Sequence, residues 1–259
     1  MWKVASHRVK EWLKYQKQSK TKYYLHSPFV FEFHTKVLEA NFLGLNNIEA
    51  QRKNYLANKF AVVIEDKGAK SGVYTTSVSY LAKNASTPHY YGKILHAWIK
   101  QHNPHYIIEL GTSLGFGTAY MAAAKPDLDI VTIDASAAVQ SYAMQLHADL
   151  GFKNITYVND NFDSALPNLL LDMPRIDFVY IDGNHTEEAT LRYFDLLKPN
   201  CNENSVLVFD DIYWSEGMTN AWNKIKADQS VSLTIDLYRM GWVFFRKEKI
   251  AKENFVLRY

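Results

Sequence analysis

The sequence predicts an α/β protein built on a mostly parallel β-sheet with helices on both faces. Two observations lead to this prediction. From Gly92 onward, short apolar runs of strand length alternate with segments of helix length, the pattern of successive βαβ units. The apolar runs are almost uninterrupted by polar residues, as expected for strands that are covered on both faces.

Five candidate strands lie in this region, and two further runs flank a turn at Gly241. The candidate strands are residues 106–110, 130–134, 155–158, 176–181 and 206–209. The runs 232–238 and 242–246 are predicted to form a terminal antiparallel hairpin. Helices, among them residues 142–150 and 187–196, fill the gaps. Together these elements predict a seven-stranded, Rossmann-like sheet.

Residues 1–90 are predicted to form a helical N-terminal extension to a core at residues 91–259. Apolar spacing near Trp12 and Tyr15, and Pro28 at a helix start, indicate short amphipathic helices. Residues 67–76 are expected to form a loop. We expect the extension to cover an acceptor pocket or to form a dimer surface. Its first two dozen residues are basic and aromatic, which suits contact with RNA or anionic lipid. The favoured alternative is a solvated amphipathic helix.

Composition narrows the class of protein. The chain has 259 residues, of which 47% are apolar and 22% charged, typical of a globular protein with a sizeable core. A net charge of +2 gives no reason to expect a polyanionic partner. A single cysteine, Cys201, excludes an internal disulfide. The sequence shows neither a signal peptide nor a membrane span, and we expect cytoplasmic residence.

The segment from Glu109 to Gly117, ELGTSLGFG, is the most informative in the chain. An apolar strand ends at an acid, then breaks into a turn with three glycines before a helix. Glycine lets a chain turn sharply against a ligand, and a helix start offers N–H groups. The spacing differs from the dinucleotide fingerprint, since Ser113 stands where that pattern has its second glycine. The turn predicts a nucleotide-type cofactor.

Acidic residues lie at the ends of the later strands, where open α/β sheets bind ligands. Asp134 ends the second core strand, where a carboxylate can accept hydrogen bonds from both hydroxyls of a ribose. Asp160 and Asn161 follow the third, where they can receive an adenine amino group or act as turn and capping residues. The turn holds no basic residue for a pyrophosphate. A ligand with ribose and base but no phosphates fits better than NAD or ATP.

These features resemble the class I S-adenosylmethionine (SAM)-dependent methyltransferases, specifically the catechol and caffeoyl-CoA O-methyltransferases. The resemblance spans about residues 92–246 and implies that the glycine turn holds the methionine part of SAM and Asp134 its ribose. The cofactor-binding residues expected are Glu109, Gly111, Thr112, Ser113, Gly115, Asp134, Ala135, Asp160, Asn161 and Asp182.

The resemblance also implies a divalent metal bound by Asp182, Asp210 and Asp211, although Asp211 stands where the family has asparagine. Oxygen ligands suit Mg²⁺, or Mn²⁺ or Ca²⁺. Such a metal lowers the pKa of an acceptor hydroxyl, and a chelator should abolish turnover. His185 stands where the catechol-type enzymes carry a lysine base. It is expected to remove the proton, together with Asp182 as a catalytic residue; the alternatives are that it caps the next helix or orients Asp182.

The function expected is metal-assisted O-methyl transfer to a small hydroxylated acceptor. Trp214 either walls the acceptor site or is a core or rim residue. Two alternatives remain: an RNA methyltransferase that uses the basic N-terminus, and a non-catalytic cofactor-binding module. Nucleic acid is not the favoured partner, and a homodimer is compatible with the chain. The acceptor, the metal and the oligomeric state do not follow from the sequence.

Overall fold

A computed structural model describes residues 2–42, 44–66, 72–125, 127–173, 175–248 and 251–259. The chain divides into two compact units: a central unit of residues 36–165 and a terminal unit of residues 1–35 and 166–259. The boundary near residue 90 between an N-terminal extension and a core stays a prediction. A role for residues 1–90 as a cover or dimer surface stays a prediction.

Helices and strands alternate through most of the described chain. The helices are α1 (Trp2–Gln18), α2 (Pro28–Phe33), α3 (Asn46–Ala57), α4 (Val78–Asn84), α5 (His89–His102), α6 (Phe116–Ala122), α7 (Ala137–Asp149), α8 (Phe162–Asp172), α9 (Glu187–Leu197) and α10 (Glu216–Ala227). The strands are β1 (Ala61–Asp66), β2 (Gly72–Ser77), β3 (Tyr106–Leu110), β4 (Asp129–Ile133), β5 (Ile155–Val158), β6 (Ile176–Ile181), β7 (Cys201–Phe209), β8 (Leu233–Asp236), β9 (Gly241–Phe244) and β10 (Glu253–Val256).

Eight strands of the described residues belong to one mostly parallel sheet, which confirms the predicted α/β, Rossmann-like class. In the central unit, β3, β4 and β5 are parallel neighbours in that order. In the terminal unit, β6 and β7 are parallel, and β9 pairs antiparallel with both β7 and β8. The predicted terminal hairpin is therefore confirmed. A further strand, β10, pairs parallel with β8, so the sheet has one more strand than expected.

A second antiparallel hairpin, β1 and β2, lies in the central unit, in a stretch that was predicted to be helical and looped. Residues 67–71 of the expected loop lie outside the described residues. Residues 72–76 belong to β2, so the loop prediction is wrong there. Val62 and Ile64 are buried on alternate positions of β1, the two-residue period that favours a strand.

Helix α1 packs one face within the terminal unit. The Tyr15 hydroxyl donates to the carbonyl of Leu257 at 2.5 Å, and its ring lies 5.4 Å from that of Tyr238. Glu11 is buried on the same face, whereas Lys10 and Lys17 are exposed. Trp12 and Leu13 are 45% and 58% exposed, so the apolar residues of α1 are not confined to its packed face. None of the helices in the described ranges has the length and hydrophobicity that a bilayer span requires.

Candidate active site

The glycine turn after β3 has the strained backbone that its composition predicts. Gly111 and Gly115 have φ values of +107° and +81°, and Ser113 adopts +46° without being glycine. Gly115 is the residue before α6 and is buried: a Cβ there would lie 2.7 Å from both the Ala143 Cβ and the His147 Nε2. Left-handed backbone at a non-glycine residue is typical of functional loops, because surrounding contacts must hold it in place.

Glu109 lies at the base of the turn and is almost fully buried. Its Oε2 accepts hydrogen bonds from the hydroxyls of Thr118 and Thr132, the latter at 2.6 Å. Burial raises the pKa of Glu109 to about 7, with a further contribution from the charge of Asp134, although the two hydroxyls oppose the shift. Through these two hydroxyls Glu109 connects α6 and β4 beside the turn, and its raised pKa lets it carry a proton near neutral pH.

Asp134 and the glycine turn meet directly, as the sequence predicts. Asp134 Oδ2 accepts the backbone N–H of Ser113 at 2.8 Å, and its Oδ1 accepts that of Ser136 at 2.9 Å. Ala135, between the last two, is half-buried. Thr112 behaves differently, because its buried hydroxyl bonds with Thr132 Oγ1 at 2.7 Å inside the unit. Any contact that Thr112 makes with a cofactor therefore falls to its backbone.

Asp160 and Asn161 adopt the alternative role considered for them. Asn161 Oδ1 accepts the backbone N–H of Ser164 at 2.9 Å, the hydrogen bond of a helix N-cap at the start of α8. Asp160 Oδ1 accepts the backbone N–H of Asn161 at 2.7 Å, and its Oδ2 accepts the Ser164 hydroxyl at 2.6 Å. These contacts build the turn after β5. Recognition of adenine by the pair stays a prediction.

His147 supports the turn from α7, and sequence reasoning missed it. It is buried, and its Nε2 lies 2.8 Å from the carbonyl oxygen of Gly115. A carbonyl can only accept, so Nε2 carries the proton and Nδ1 accepts the Tyr157 hydroxyl at 2.6 Å. Burial lowers the pKa of His147 to about 4, which keeps the ring neutral. The available sequence signal was helical spacing: His147 lies four residues after Ala143 in α7, so the two side chains share one face of the helix.

A polar cluster that the sequence did not indicate packs beside the turn in the central unit. Glu49 accepts from Arg52 Nε at 3.2 Å and from the Tyr120 hydroxyl, and His89 Nδ1 lies 3.0 Å from the same carboxylate. Arg52 stacks its guanidinium 4.2 Å above the ring of Phe116, the first residue of α6. The predicted "cover" sequence thus contributes structural support for the start of α6.

In the terminal unit, Asp182 and His185 lie in the loop after β6. His185 Nε2 is 3.5 Å from Asp182 Oδ1, and Asp182 Oδ2 accepts the Tyr180 hydroxyl at 3.1 Å. Burial and the neighbouring charge of Asp210 raise the pKa of Asp182, while Arg239 opposes that rise. His185 does not cap α9, because Thr186 does so through its hydroxyl, which accepts the Ala189 N–H at 3.3 Å. The roles of base and of partner to Asp182 remain for His185.

Asp210 and Asp211 follow β7, but an arginine occupies this cluster. Arg239 Nε lies 3.0 Å from both carboxylate oxygens of Asp210, and its Nη2 lies 2.8 Å from Oδ2. The same Nε is 3.5 Å from Asp211 Oδ1. In the part of the chain that the structure describes, no group of three or more His, Cys, Asp or Glu side chains could hold a metal ion. Because Arg239 engages Asp210 and lies beside Asp211, the expected ligand set of Asp182, Asp210 and Asp211 does not fit a metal in this structure.

Trp214 lies at a rim of the terminal unit. Its side chain is 42% exposed, which excludes the core alternative. The guanidinium of Arg8, from α1, stacks 4.5 Å from the ring centre, and the Tyr238 hydroxyl donates to the Arg8 carbonyl at 2.9 Å. The positive charge of Arg8 also contributes to lowering the pKa of Asp211, against the larger raising effects of burial and Asp210. Helix α1 thus places the positive charge of Arg8 against the ring of Trp214 and close enough to act on Asp211.

A comparison with protein families matches the part of the chain that contains the glycine turn and Asp134. Residues 108–212 match a family described as "Methyltransferase domain". No curated protein sequence matches the chain significantly.

Solved structures share the fold at low sequence identity. An O-methyltransferase from Bacillus cereus in complex with SAH is 15% identical, with a TM-score of 0.59 over 83% of this chain and 97% of that one. The O-methyltransferase TomG from Streptomyces achromogenes, in complex with SAM, is 18% identical, with a TM-score of 0.54 over 63% and 83%. The SAH-bound Podospora anserina methyltransferase PaMTH1 is 12% identical, with a TM-score of 0.56 over 62% and 80%. The chain therefore has the fold of these class I methyltransferases, and its residues 108–212 are similar to a methyltransferase domain.

Proposed function

We propose that this protein is a SAM-dependent O-methyltransferase that acts on a small hydroxylated acceptor. The observation that carries the proposal is the direct hydrogen bond between the Ser113 N–H and Asp134, which joins the glycine turn to the expected ribose-binding acid. The similarity of residues 108–212 to a methyltransferase domain supports it, as does the likeness to O-methyltransferase structures with SAM or SAH.

In this proposal the central unit binds the methyl donor. The backbone of the turn between Gly111 and Gly115 lies against the methionine part, and Asp134 accepts the ribose hydroxyls. Each Asp134 oxygen already accepts one backbone N–H, at 2.8 and 2.9 Å, which fixes the carboxylate and leaves it acceptor capacity for a hydroxyl. His147 and Glu109 hold the turn in shape from inside the unit.

The chemical step is a displacement at the methyl carbon of the sulfonium. The acceptor oxygen forms the new C–O bond as the C–S bond breaks, and the electron pair of that bond returns to sulfur. His185 Nε2 faces Asp182 Oδ1 at 3.5 Å, so the hydroxyl proton passes to the other ring nitrogen, Nδ1, while the Asp182 carboxyl orients the ring and balances the imidazolium. General-base assistance of this kind contributes about 10²–10⁴-fold in rate.

The proposal omits the metal that the sequence led us to expect. Arg239 holds both oxygens of Asp210, so the divalent ion and its Mg²⁺, Mn²⁺ or Ca²⁺ identity are not carried forward. Cytoplasmic residence and a homodimer stay predictions.

Transfer of a labelled methyl group from SAM to a panel of small phenols and alcohols tests the function. Titration calorimetry with SAM tests the cofactor independently of the acceptor. Asp134→Ala should abolish SAM binding, whereas Asp127→Ala is a matched control, since that aspartate is 78% exposed in the same unit. A wild-type protein that binds no SAM would refute the proposal, and one that binds SAM without transferring to any acceptor would favour a non-catalytic cofactor-binding module.

An RNA acceptor is tested separately through the exposed basic face of α1. Deletion of this helix would remove its buried Tyr15 contacts, so substitution of surface charges is the cleaner change. If RNA binds there, Lys10→Gln with Lys17→Gln should weaken binding of single-stranded RNA at low salt. Absence of binding by the wild-type protein under those conditions removes this alternative.

A further inference from the structure

The placement of Arg239 follows from the register of the sheet. Strand β9 pairs antiparallel with β7 so that Gly241 lies opposite Phe209. Continuing this register by two residues past the strand ends brings Arg239 opposite Asp211. A backbone hydrogen bond from Ile212 N to the Arg239 carbonyl, at 3.1 Å, ties the two loops together. The topology therefore fixes Arg239 beside the acids; it is not an incidental surface contact.

The backbone is strained on both sides of the contact between Asp211 and Arg239. Asp211 and Tyr238 adopt left-handed φ values of +52° and +65°, although neither is glycine. Such conformations cost of order 1–3 kcal/mol each and persist only where surrounding structure enforces them. Asp211 lies just after the end of β7, and Tyr238 directly precedes Arg239 in the β8–β9 turn. Strain of this kind clusters at functional sites.

The ion pair has the geometry that excludes a second cation. A guanidinium is permanently charged, and its forked N–H groups match both oxygens of a carboxylate. The side chain of Asp210 is fully buried, and that of Arg239 is 27% exposed. A divalent ion at 2.0–2.6 Å from these oxygens would compete with the N–H donors and would stand next to a fixed positive charge.

We propose that Arg239 is the permanent internal cation of this site, and that the methyl transfer of this protein is independent of divalent metal. This inference rests on the proposed function and deepens it. Arg239 acts as a positioning residue: it neutralises Asp210, holds Asp211 and so sets the charge around Asp182 and His185.

The inference also bears on the acceptor. A metal that binds two acceptor oxygens requires a substrate with two neighbouring oxygens. A cluster neutralised by a guanidinium makes no such demand, and activation then depends on proton removal by His185. The substrate class therefore includes compounds with a single hydroxyl group.

Direct measurement of Mn²⁺ binding by the full-length protein tests the inference without a substrate. Mn²⁺ is followed by the loss of its free electron paramagnetic resonance signal and by the change in Tm on adding the ion. The wild type should show no binding at millimolar Mn²⁺. Arg239→Gln should expose the carboxylates and create Mn²⁺ binding with a Mn²⁺-dependent rise in Tm, and Asp210→Asn in the same background should remove both.

Wild-type binding of Mn²⁺ that is lost in Asp210→Asn would overturn the inference. So would a folded Arg239→Gln protein that gains no Mn²⁺ binding, because Arg239 would then not be the group that excludes the ion. If Arg239→Gln fails to fold, the wild-type titration decides alone, and Arg239→Lys, which keeps the charge, should stay unable to bind Mn²⁺. SAM titration of the same samples separates the two proposals: absent SAM binding refutes the function, whereas Mn²⁺ binding refutes only the role of Arg239.

Discussion

Substitution of Gly115 by alanine tests whether the cofactor turn depends on close backbone approach. Gly115 has a φ of +81°, and an added Cβ would stand 2.7 Å from Ala143 Cβ and from His147 Nε2. The left-handed conformation costs a non-glycine residue about 1–2 kcal/mol. Overpacking of a tight interior costs a further 1–3 kcal/mol or so. We therefore expect Gly115→Ala to lower the free energy of unfolding by about 2–5 kcal/mol.

Gly151→Ala is the matched control, because Gly151 has nearly the same backbone but open space around it. Its φ is +78°, and an added Cβ meets nothing within 4 Å. This variant should lose only the conformational part, about 1–2 kcal/mol. The difference between the two variants, about 1–3 kcal/mol, then measures the contact with Ala143 and His147 alone.

Urea denaturation gives both free energies of unfolding, and titration calorimetry gives both SAM affinities. The Gly115 variant displaces the His147 contact beneath the turn, so we expect its SAM affinity to fall by roughly tenfold or more, a loss of at least about 1.4 kcal/mol. The Gly151 variant should bind SAM as the wild type does. Equal losses of stability in the two variants would refute the argument from close packing. Normal SAM affinity in Gly115→Ala would refute the assignment of the turn to the donor.

Three further outcomes are expected. Asp134→Asn keeps one acceptor oxygen and should bind SAM more weakly than the wild type but more tightly than Asp134→Ala; identical calorimetric affinities in all three proteins would exclude a ribose contact. His185→Gln should lower kcat by about 10²–10⁴-fold with unchanged SAM affinity, whereas a kcat close to that of the wild type would refute the role of His185 as the base. The pKa of Glu109 is raised to about 7 from 4.5, so its stabilising contribution is present below pH 4.5 and is lost as pH rises through 7. Glu109→Gln should therefore gain about 3 kcal/mol of stability relative to the wild type between pH 4.5 and 8, and a constant difference in urea melts would contradict the shift.

The elements that sequence predicted best are those with a strong local signal. Strand β3 was predicted with its observed bounds because a mostly apolar run ends at the turn that holds Gly111 and Gly115. Strand β10 was missed because its sequence, ENFV, is short and partly polar and because it forms by pairing with β8, a separate segment of the chain. The β1–β2 hairpin carried a usable sequence signal, the β-branched run Val62–Ile64, which was overlooked among helical neighbours.

The cofactor half of the candidate site followed from spacing, since parallel strands bring the turn after β3 and Asp134 to the same sheet edge. The role of His147 did not follow from the sequence, because its burial and its tautomer depend on how the side chains of the unit pack.

The acidic cluster shows most clearly why a residue pattern does not determine a metal site. Asp182, Asp210 and Asp211 all lie at strand ends, and by type and position they form a plausible set of oxygen ligands. Whether such a set binds an ion depends on which positively charged groups the folded structure places against its oxygens. Antiparallel pairing of β9 with β7 brings Arg239 to these carboxylates from a distant part of the sequence. The sequence predicted both the hairpin and the acids, but not the register between β7 and β9 that places Arg239 beside those acids. An arginine just before the second strand of such a hairpin is therefore a sequence signal against a metal, and it should be weighed before acids at strand ends are assigned as ligands.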